Sequence, residues 1–233
     1  MIKTYFNWST GKDSAMALHQ LLKDDNYRVD QLLTSVNAAY DRVTMHGLRR
    51  SLMKAQIESI GIPCNTIELP ENPDMETYGK LMKEGVETLK KKGYATAGFG
   101  DIFLEDLRKY REEQLAQLAI DCVFPLWKRD TKELMQEFID LGFKAIVVCI
   151  NGQVLDESFV GREVDASFIK DLPENVDPCG ENGEFHTFCY DGPIFKHPVA
   201  FEIGEKTYRE YPAPNKNEPN YGYWFCDLSC PEE

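Results

Sequence analysis

Six consecutive residues, Ser9-Thr10-Gly11-Lys12-Asp13-Ser14, combine hydroxyls, a glycine, a carboxylate and one cation. They stand between an apolar run, Met1 to Phe6, and a helix-like one, Ala15 to Leu22. A strand, a tight loop and a helix in that order build an anion site. First-turn N–H groups lack intrahelical partners, and the helix N-terminus carries partial positive charge. Ser9, Thr10 and Ser14 add donors, and Lys12 adds a full charge. The chemistry indicated is the binding of nucleotide phosphates. The Walker A pattern G-x-x-x-x-G-K-[ST] is not met, because Phe6 stands where its first glycine belongs and Asp13 follows Lys12. Thr10 is β-branched, so its φ is expected to be negative.

A second dense stretch runs from Asp177 to Phe188 and contains Cys179-Gly180-Glu181-Asn182-Gly183-Glu184-Phe185-His186-Thr187. Two glycines, a proline and three acids make a tight polar loop, and alternation from Glu184 onward indicates a half-buried strand. Local sequence alone leaves two readings open, an acidic surface hairpin or a functional loop. For His186 the alternatives are a packed strand histidine and a catalytic one.

Strands alternating with helices position these groups. Strands are expected at Gln31 to Val36, Cys64 to Leu69, Tyr94 to Phe99 and Cys122 to Phe124. The helices between and around them run from Gly47 to Ile60, Met75 to Lys92 and Leu104 to Ile120. Such alternation implies βαβ units and a mostly parallel α/β sheet. Loops after the strands then gather at one edge, which brings the Ser9–Ser14 loop, Asn37 to His46 and Gly100-Asp101 around one crevice. After Pro125 the pattern changes. A helix at Asp130 to Gly142 and an apolar strand at Lys144 to Ile150 precede a region rich in Gly and Pro. Short strand-like runs such as Val199 to Ile203 lie there, with a turn-rich tail at Pro212 to Asn220 and another strand at Tyr221 to Phe225. Two domains are expected, 1–128 and a smaller α+β unit, 129–233.

At 233 residues the chain can bury a substantial core, and its net charge is −13. That charge argues against nucleic acid as the main partner and requires any anion site to be local. No apolar stretch approaches the ~20 residues of a membrane span, and no signal-peptide pattern opens the chain. Seven scattered cysteines without a C-x-x-C pair fit reduced thiols in a cytoplasm and offer no metal–thiolate set. Self-association is left open.

The opening run resembles the PP-loop, S-G-G-K-D-S, of the ATP pyrophosphatases, with Thr10 in place of its first glycine. With Met45-His46-Gly47, Phe99-Gly100-Asp101-Ile102, Pro125-Leu126-Trp127, Asp156 to Gly161 and above all Cys179 to Thr187, the whole is similar to the diphthine–ammonia ligase family. The resemblance implies a Rossmann-like nucleotide domain of the HUP type and a smaller acceptor-binding domain. It also implies ATP-dependent amidation of a carboxylate. Attack on the α-phosphate would give an acyl-adenylate and pyrophosphate, and ammonia would then displace AMP. Ser9, Thr10, Gly11, Lys12, Asp13, Ser14, His46, Gly100 and Asp101 are the nucleotide-binding candidates. Lys12, Glu181, Glu184 and His186 are the catalytic ones, the last three orienting acceptor or ammonia. Magnesium (Mg2+) is expected to bridge the phosphates, with Asp13 or Asp101 as its holder; alternatively Asp101 caps the following helix or bonds the nucleotide. In that family the acceptor, diphthine, sits on elongation factor 2, so the acceptor here is either a modified protein residue or a small carboxylic acid. A PP-loop protein with another acceptor, including tRNA modification, and a nucleotide sensor without turnover are the competing functions.

Overall fold

The computed structural model describes residues 1–44, 47–211 and 220–231. His46, and the expected tail from Pro212 apart from Asn220, lie outside the described residues. In chain order the first half holds β1 (Ile2–Asn7), α1 (Lys12–Lys23), β2 (Tyr27–Asn37), β3 (Arg42–Val43), α2 (Arg50–Ile60) and β4 (Cys64–Leu69). Then come α3 (Met75–Lys91), β5 (Thr96–Gly98), α4 (Glu105–Ala116) and β6 (Asp121–Val123). β1 pairs in parallel with β2 on one side and β5 on the other, and β5 pairs with β6. β4 lies parallel to the second half of β2, while the short β3 runs antiparallel to its end.

Burial explains the strand composition. Thr4, Tyr5 and Phe6 of β1 are fully buried because both faces of the sheet are covered. Phe6 faces an apolar cluster with Ala15, Leu18 and Leu21 of α1 and Leu52 of α2. Tyr5 faces the opposite cluster with Val86 and Leu89 of α3 and Leu115 of α4. The mostly parallel α/β sheet expected from the alternation is thus covered on both faces.

The second half holds α5 (Thr131–Asp140), β7 (Lys144–Asn151), α6 (Ala166–Asp171), β8 (Phe185–Asp191), β9 (Glu202–Tyr211) and β10 (Tyr221–Ser229). Its antiparallel sheet has the order β8-β7-β10-β9. Asp130 starts α5 by accepting hydrogen bonds from the N–H groups of Lys132 and Glu133, at 2.9 and 3.0 Å. The apolar core does not stop between the sheets. One cluster runs from Phe6 and Leu18 through Phe138 and Val147 to Phe188 and Leu228.

Several boundaries differ from expectation for identifiable reasons. β2 begins at Tyr27, earlier than Gln31, because its first residues alternate in burial and lack a continuous apolar run. α4 stops at Ala116, where the following Leu118 N–H turns back to Leu115 and Ala119 adopts a left-handed φ of 50°. β9 covers ten residues where only Val199 to Ile203 suggested a strand, since nine of the ten are exposed and the run is dominated by charged and polar residues.

The β10 strand is fastened to the parallel sheet by charge. Asp227 accepts from Arg42 Nη1 at 2.9 Å and from Arg49 Nη2 at 2.7 Å. Burial alone would raise the Asp227 pKa, but the hydrogen bonds from Arg49 and Arg42 outweigh it and hold the carboxyl low. All three side chains are about one-third exposed, so Asp227→Asn is expected to cost about 1 kcal/mol, read as a lower urea midpoint at unchanged m-value.

Candidate functional site

The phosphate-type loop leaves β1 at Asn7 and enters α1 at Lys12. Gly11 is the N-cap and supplies no capping side chain to the first-turn N–H groups. Ser9 donates to Ser14 Oγ at 3.1 Å, and Ser14 donates to the Gly11 carbonyl at 2.9 Å. Lys12 is buried. Its Nζ bonds both Asp13 carboxylate oxygens, at 2.7 and 2.8 Å, and the Cys179 carbonyl. Burial alone would lower the Lys12 pKa; the adjacent Asp13 carboxylate reverses that, so the group stays an ammonium.

Thr10 corrects one expectation. Its φ is +74°, in the left-handed region, where a negative value was predicted. Two hydrogen bonds hold it there. The Thr10 carbonyl accepts from Cys189 N at 2.9 Å and from Gln56 Nε2 at 3.0 Å. Gln56, from α2, is fully buried, bonds the Cys189 carbonyl as well, and accepts from Trp8 Nε1 at 3.1 Å. A lone glutamine in an amphipathic helix gives no sequence signal, so Gln56 was missed. Its lack of a solvent-facing position within an apolar stripe is the one feature that could have exposed it.

The second sequence loop meets the first. Thr187 Oγ1 on β8 accepts from Lys12 N at 3.0 Å, and the Phe185 ring lies 5.3 Å from Lys12 Nζ. Glu181 Oε1 accepts from Ile102 N at 2.7 Å, tying this loop to the segment after β5. Burial pushes the Glu181 carboxyl up from 4.5 to about 7, the Ile102 N–H opposing and Asp13 and Asp101 adding to the rise. Glu184 has a different task. Its Oε1 accepts from Asp177 N and Asn182 Nδ2, both at 3.0 Å, which staples the loop on itself. Its Oε2 is buried and has no hydrogen-bond partner among the described residues.

Gly100 and Asp101 stand at the same edge. A Cβ on Gly100 would lie 3.0 Å from Ser14 N and 3.1 Å from the Asp13 carbonyl, so only glycine lets the two loops touch. Asp101 is buried and engaged by Arg111, whose Nε and Nη2 approach its oxygens at 3.1 to 3.2 Å. His186, between Phe185 and Thr187, turns to the other face of β8. There it lines a cleft of about 780 Å³ between the loops after β2 and β4 and the β9–β10 face. Burial, with a smaller contribution from Lys12, pushes its pKa down to about 4, so it is neutral at pH 7. Nearby, Arg50 pairs with Asp41 and Glu68, and Arg162 with Asp171. All seven cysteines are unpaired, and burial pushes the Cys149 thiol up to about 12. Among the described residues, no group of three His, Cys, Asp or Glu side chains converges on a metal-sized point, and no helix is long and apolar enough to cross a membrane.

The fold and site define an α/β protein with a phosphate-loop-type strand–turn–helix at the edge of its parallel sheet. Residues 2–119 match the diphthamide synthase N-terminal domain and residues 130–213 the diphthamide synthase C-terminal domain; the chain belongs to the diphthamide synthase family. It is 27% identical over 141 residues to a Bos taurus diphthine–ammonia ligase, covering 58% of this chain and 51% of that protein. The Danio rerio protein of the same name is 27% identical over 141 residues, 58% of this chain and 54% of the relative. The Rattus norvegicus one is 26% identical over 208 residues, 82% and 74%. The chain thus spans about half the length of the first two.

Two outcomes are expected. Gln56→Leu leaves the Trp8 indole N–H unpaired in a buried site and strips one support from Thr10, lowering unfolding free energy by about 3 kcal/mol in urea titration. Glu181 titrates near 4.5 unfolded and about 7 folded, so the folded state holds the extra proton between those values. Its contribution therefore makes stability fall as pH rises from about 4.5 to about 7, and Glu181→Gln should flatten that part of the urea-midpoint profile.

Proposed function

We propose that this chain is an ATP-dependent carboxylate–ammonia ligase that releases AMP and pyrophosphate, with diphthine as the acceptor. The observation that carries the reading is the buried Lys12 ammonium at the start of α1, bonded across to the Cys179 to Thr187 loop. A carboxylate is a poor acyl donor until its oxygen is converted to a leaving group. Transfer of AMP from ATP supplies that group and expels pyrophosphate, after which ammonia forms the amide.

The chain's own residues fit this sequence. Lys12 and the N–H groups opening α1 offset charge on the departing pyrophosphate. Ser9 and Ser14 present hydroxyls at the same mouth. Gly100 allows the close approach that leaves room along the loop backbone. Glu181, beside the Lys12–Asp13 pair, is the carboxylate suited to hold ammonium and take its proton, because its pKa lies near 7. His186, neutral and facing the cleft, is placed to contact the acceptor. Magnesium ordinarily neutralises phosphate charge. Asp13 and Asp101 are the carboxylates near enough to assist in holding it, although Lys12 and Arg111 occupy them. The domain division at 128 and 129, a cytoplasmic setting and self-association belong to the same proposal.

With labelled ATP, AMP and pyrophosphate should appear only when both acceptor and ammonia are present; ADP release would overturn the reading. Lys12→Ala should reduce AMP formation at least about a thousandfold, as the loss of a main charge stabiliser implies. An unchanged ATP affinity and rate in that variant would refute the assignment.

A further inference from the structure

Gln56 stands outside the loop it holds. It lies in the middle of α2, and its amide is buried with both polar atoms engaged. Oε1 accepts from Trp8 Nε1 at 3.1 Å. Nε2 donates to the Thr10 carbonyl at 3.0 Å and to the Cys189 carbonyl. A buried amide is costly unless it is bonded, and a fully bonded one fixes the groups around it. Here the group it fixes is the peptide that links Thr10 to Gly11.

That peptide is trans and planar, so its N–H points opposite to its C=O. Gln56 and the Cys189 N–H hold the Thr10 carbonyl on the side of α2 and β8. The Gly11 N–H is thereby turned the other way, and it makes no hydrogen bond among the described residues. It comes from the N-cap residue of α1, immediately before Lys12. The turn needs a left-handed backbone at residue 10, where φ is +74°. Glycine adopts that conformation without steric cost, whereas threonine has to be held in it.

We propose that Gln56 is a positioning residue for phosphate binding. It holds Thr10 in the left-handed turn, and so keeps the Gly11 N–H directed at a phosphate oxygen. Gln56 is also what allows a threonine to occupy a position that suits glycine. A peptide fixed before the ligand arrives needs no ordering when it binds. The inference rests on the ligase reading, because that reading puts the phosphates of ATP on this loop.

The test measures ATP affinity by calorimetry on the full chain, with urea midpoints read on the same proteins. Gln56→Leu should weaken ATP binding about tenfold, through loss of a hydrogen bond that sets donor geometry. In a Thr10→Gly background the same substitution should cost no more than about twofold, because glycine holds the turn unaided. Trp8→Phe removes the third partner of Gln56 and leaves both of its donations. It should lower the urea midpoint with ATP affinity unchanged. Where Gln56→Leu does not fold, Gln56→Met, unbranched and nearer in length, carries the same comparison. Unchanged ATP affinity in a folded Gln56 variant would overturn the assignment. An equal loss in Trp8→Phe, or an equal loss in the Thr10→Gly background, would do so too. AMP formation is scored on the same proteins. ATP binding by the unsubstituted chain without AMP formation, with acceptor and ammonia present, would refute the ligase reading alone. AMP formation with an affinity indifferent to Gln56 would refute the positioning role alone, and absent ATP binding would overturn both.

Discussion

The structure is organised around one buried charge. An ammonium removed from water costs several kcal/mol unless it is paired and hydrogen-bonded. Lys12 meets that demand with its own neighbour Asp13 and with the Cys179 carbonyl, which lies 167 residues away in the chain. The compensation therefore exists only when the antiparallel sheet has delivered its loop to the edge of the parallel one. Thr187 repeats the link on the backbone by accepting from Lys12 N. A chain of net charge −13 repels anions over most of its surface, so a cation kept at the base of a helix N-terminus localises what attraction there is. On the ligase reading, an arriving phosphate competes with the oxygens that now satisfy Lys12, one of which is the Cys179 carbonyl.

Thr10 shows how far the surroundings go to keep that geometry. A β-branched residue at φ +74° is costly, by about 1–2 kcal/mol. Its carbonyl nevertheless takes two hydrogen bonds, one from β8 and one from Gln56, and Gln56 is itself tied to Trp8 and Cys189. Two elements distant in sequence, β8 and α2, thus fix one peptide. On the ligase reading, strain held here by neighbouring bonds is what a preorganised anion site requires, because a relaxed loop would have to be ordered at each binding event.

Much of this was legible from residue types. The alternation of apolar strands with amphipathic helices gave the parallel sheet, and the hydroxyl, glycine and lysine cluster marked the loop that now holds Lys12. What escaped were features set by partners distant in sequence. Thr10 read locally should avoid a positive φ, and only the bonds from Cys189 and Gln56 reverse that. β9 is nearly all exposed and depends on pairing with β10 for its existence. Asp101 read as a ligand to metal or nucleotide or as a helix cap, and its pairing with Arg111, ten residues along the chain, had no local signal. Glu184 and His186 looked equivalent to Glu181 in the sequence, yet the fold gives the three different neighbours.

That divergence follows from the period of a strand. Alternate side chains of β8 point to opposite faces, so Phe185 and Thr187 address Lys12 while His186 addresses the cleft. The strand is then a partition one residue thick between the Lys12 side and a second compartment. Groups on its two sides can act on one reaction only where the strand ends, and there the loop bearing Glu181 crosses to Ile102. On the ligase reading, the activated carboxyl must reach that end from the cleft side, while the α-phosphate reaches it from the Lys12 side. A shift of β8 register by one residue would exchange the two faces and leave every side chain present but misdirected. The buried Phe185 and Phe188, set on opposite faces, resist that slip, since either would have to leave the core. Ordinary core packing in β8 thereby keeps the two compartments chemically distinct.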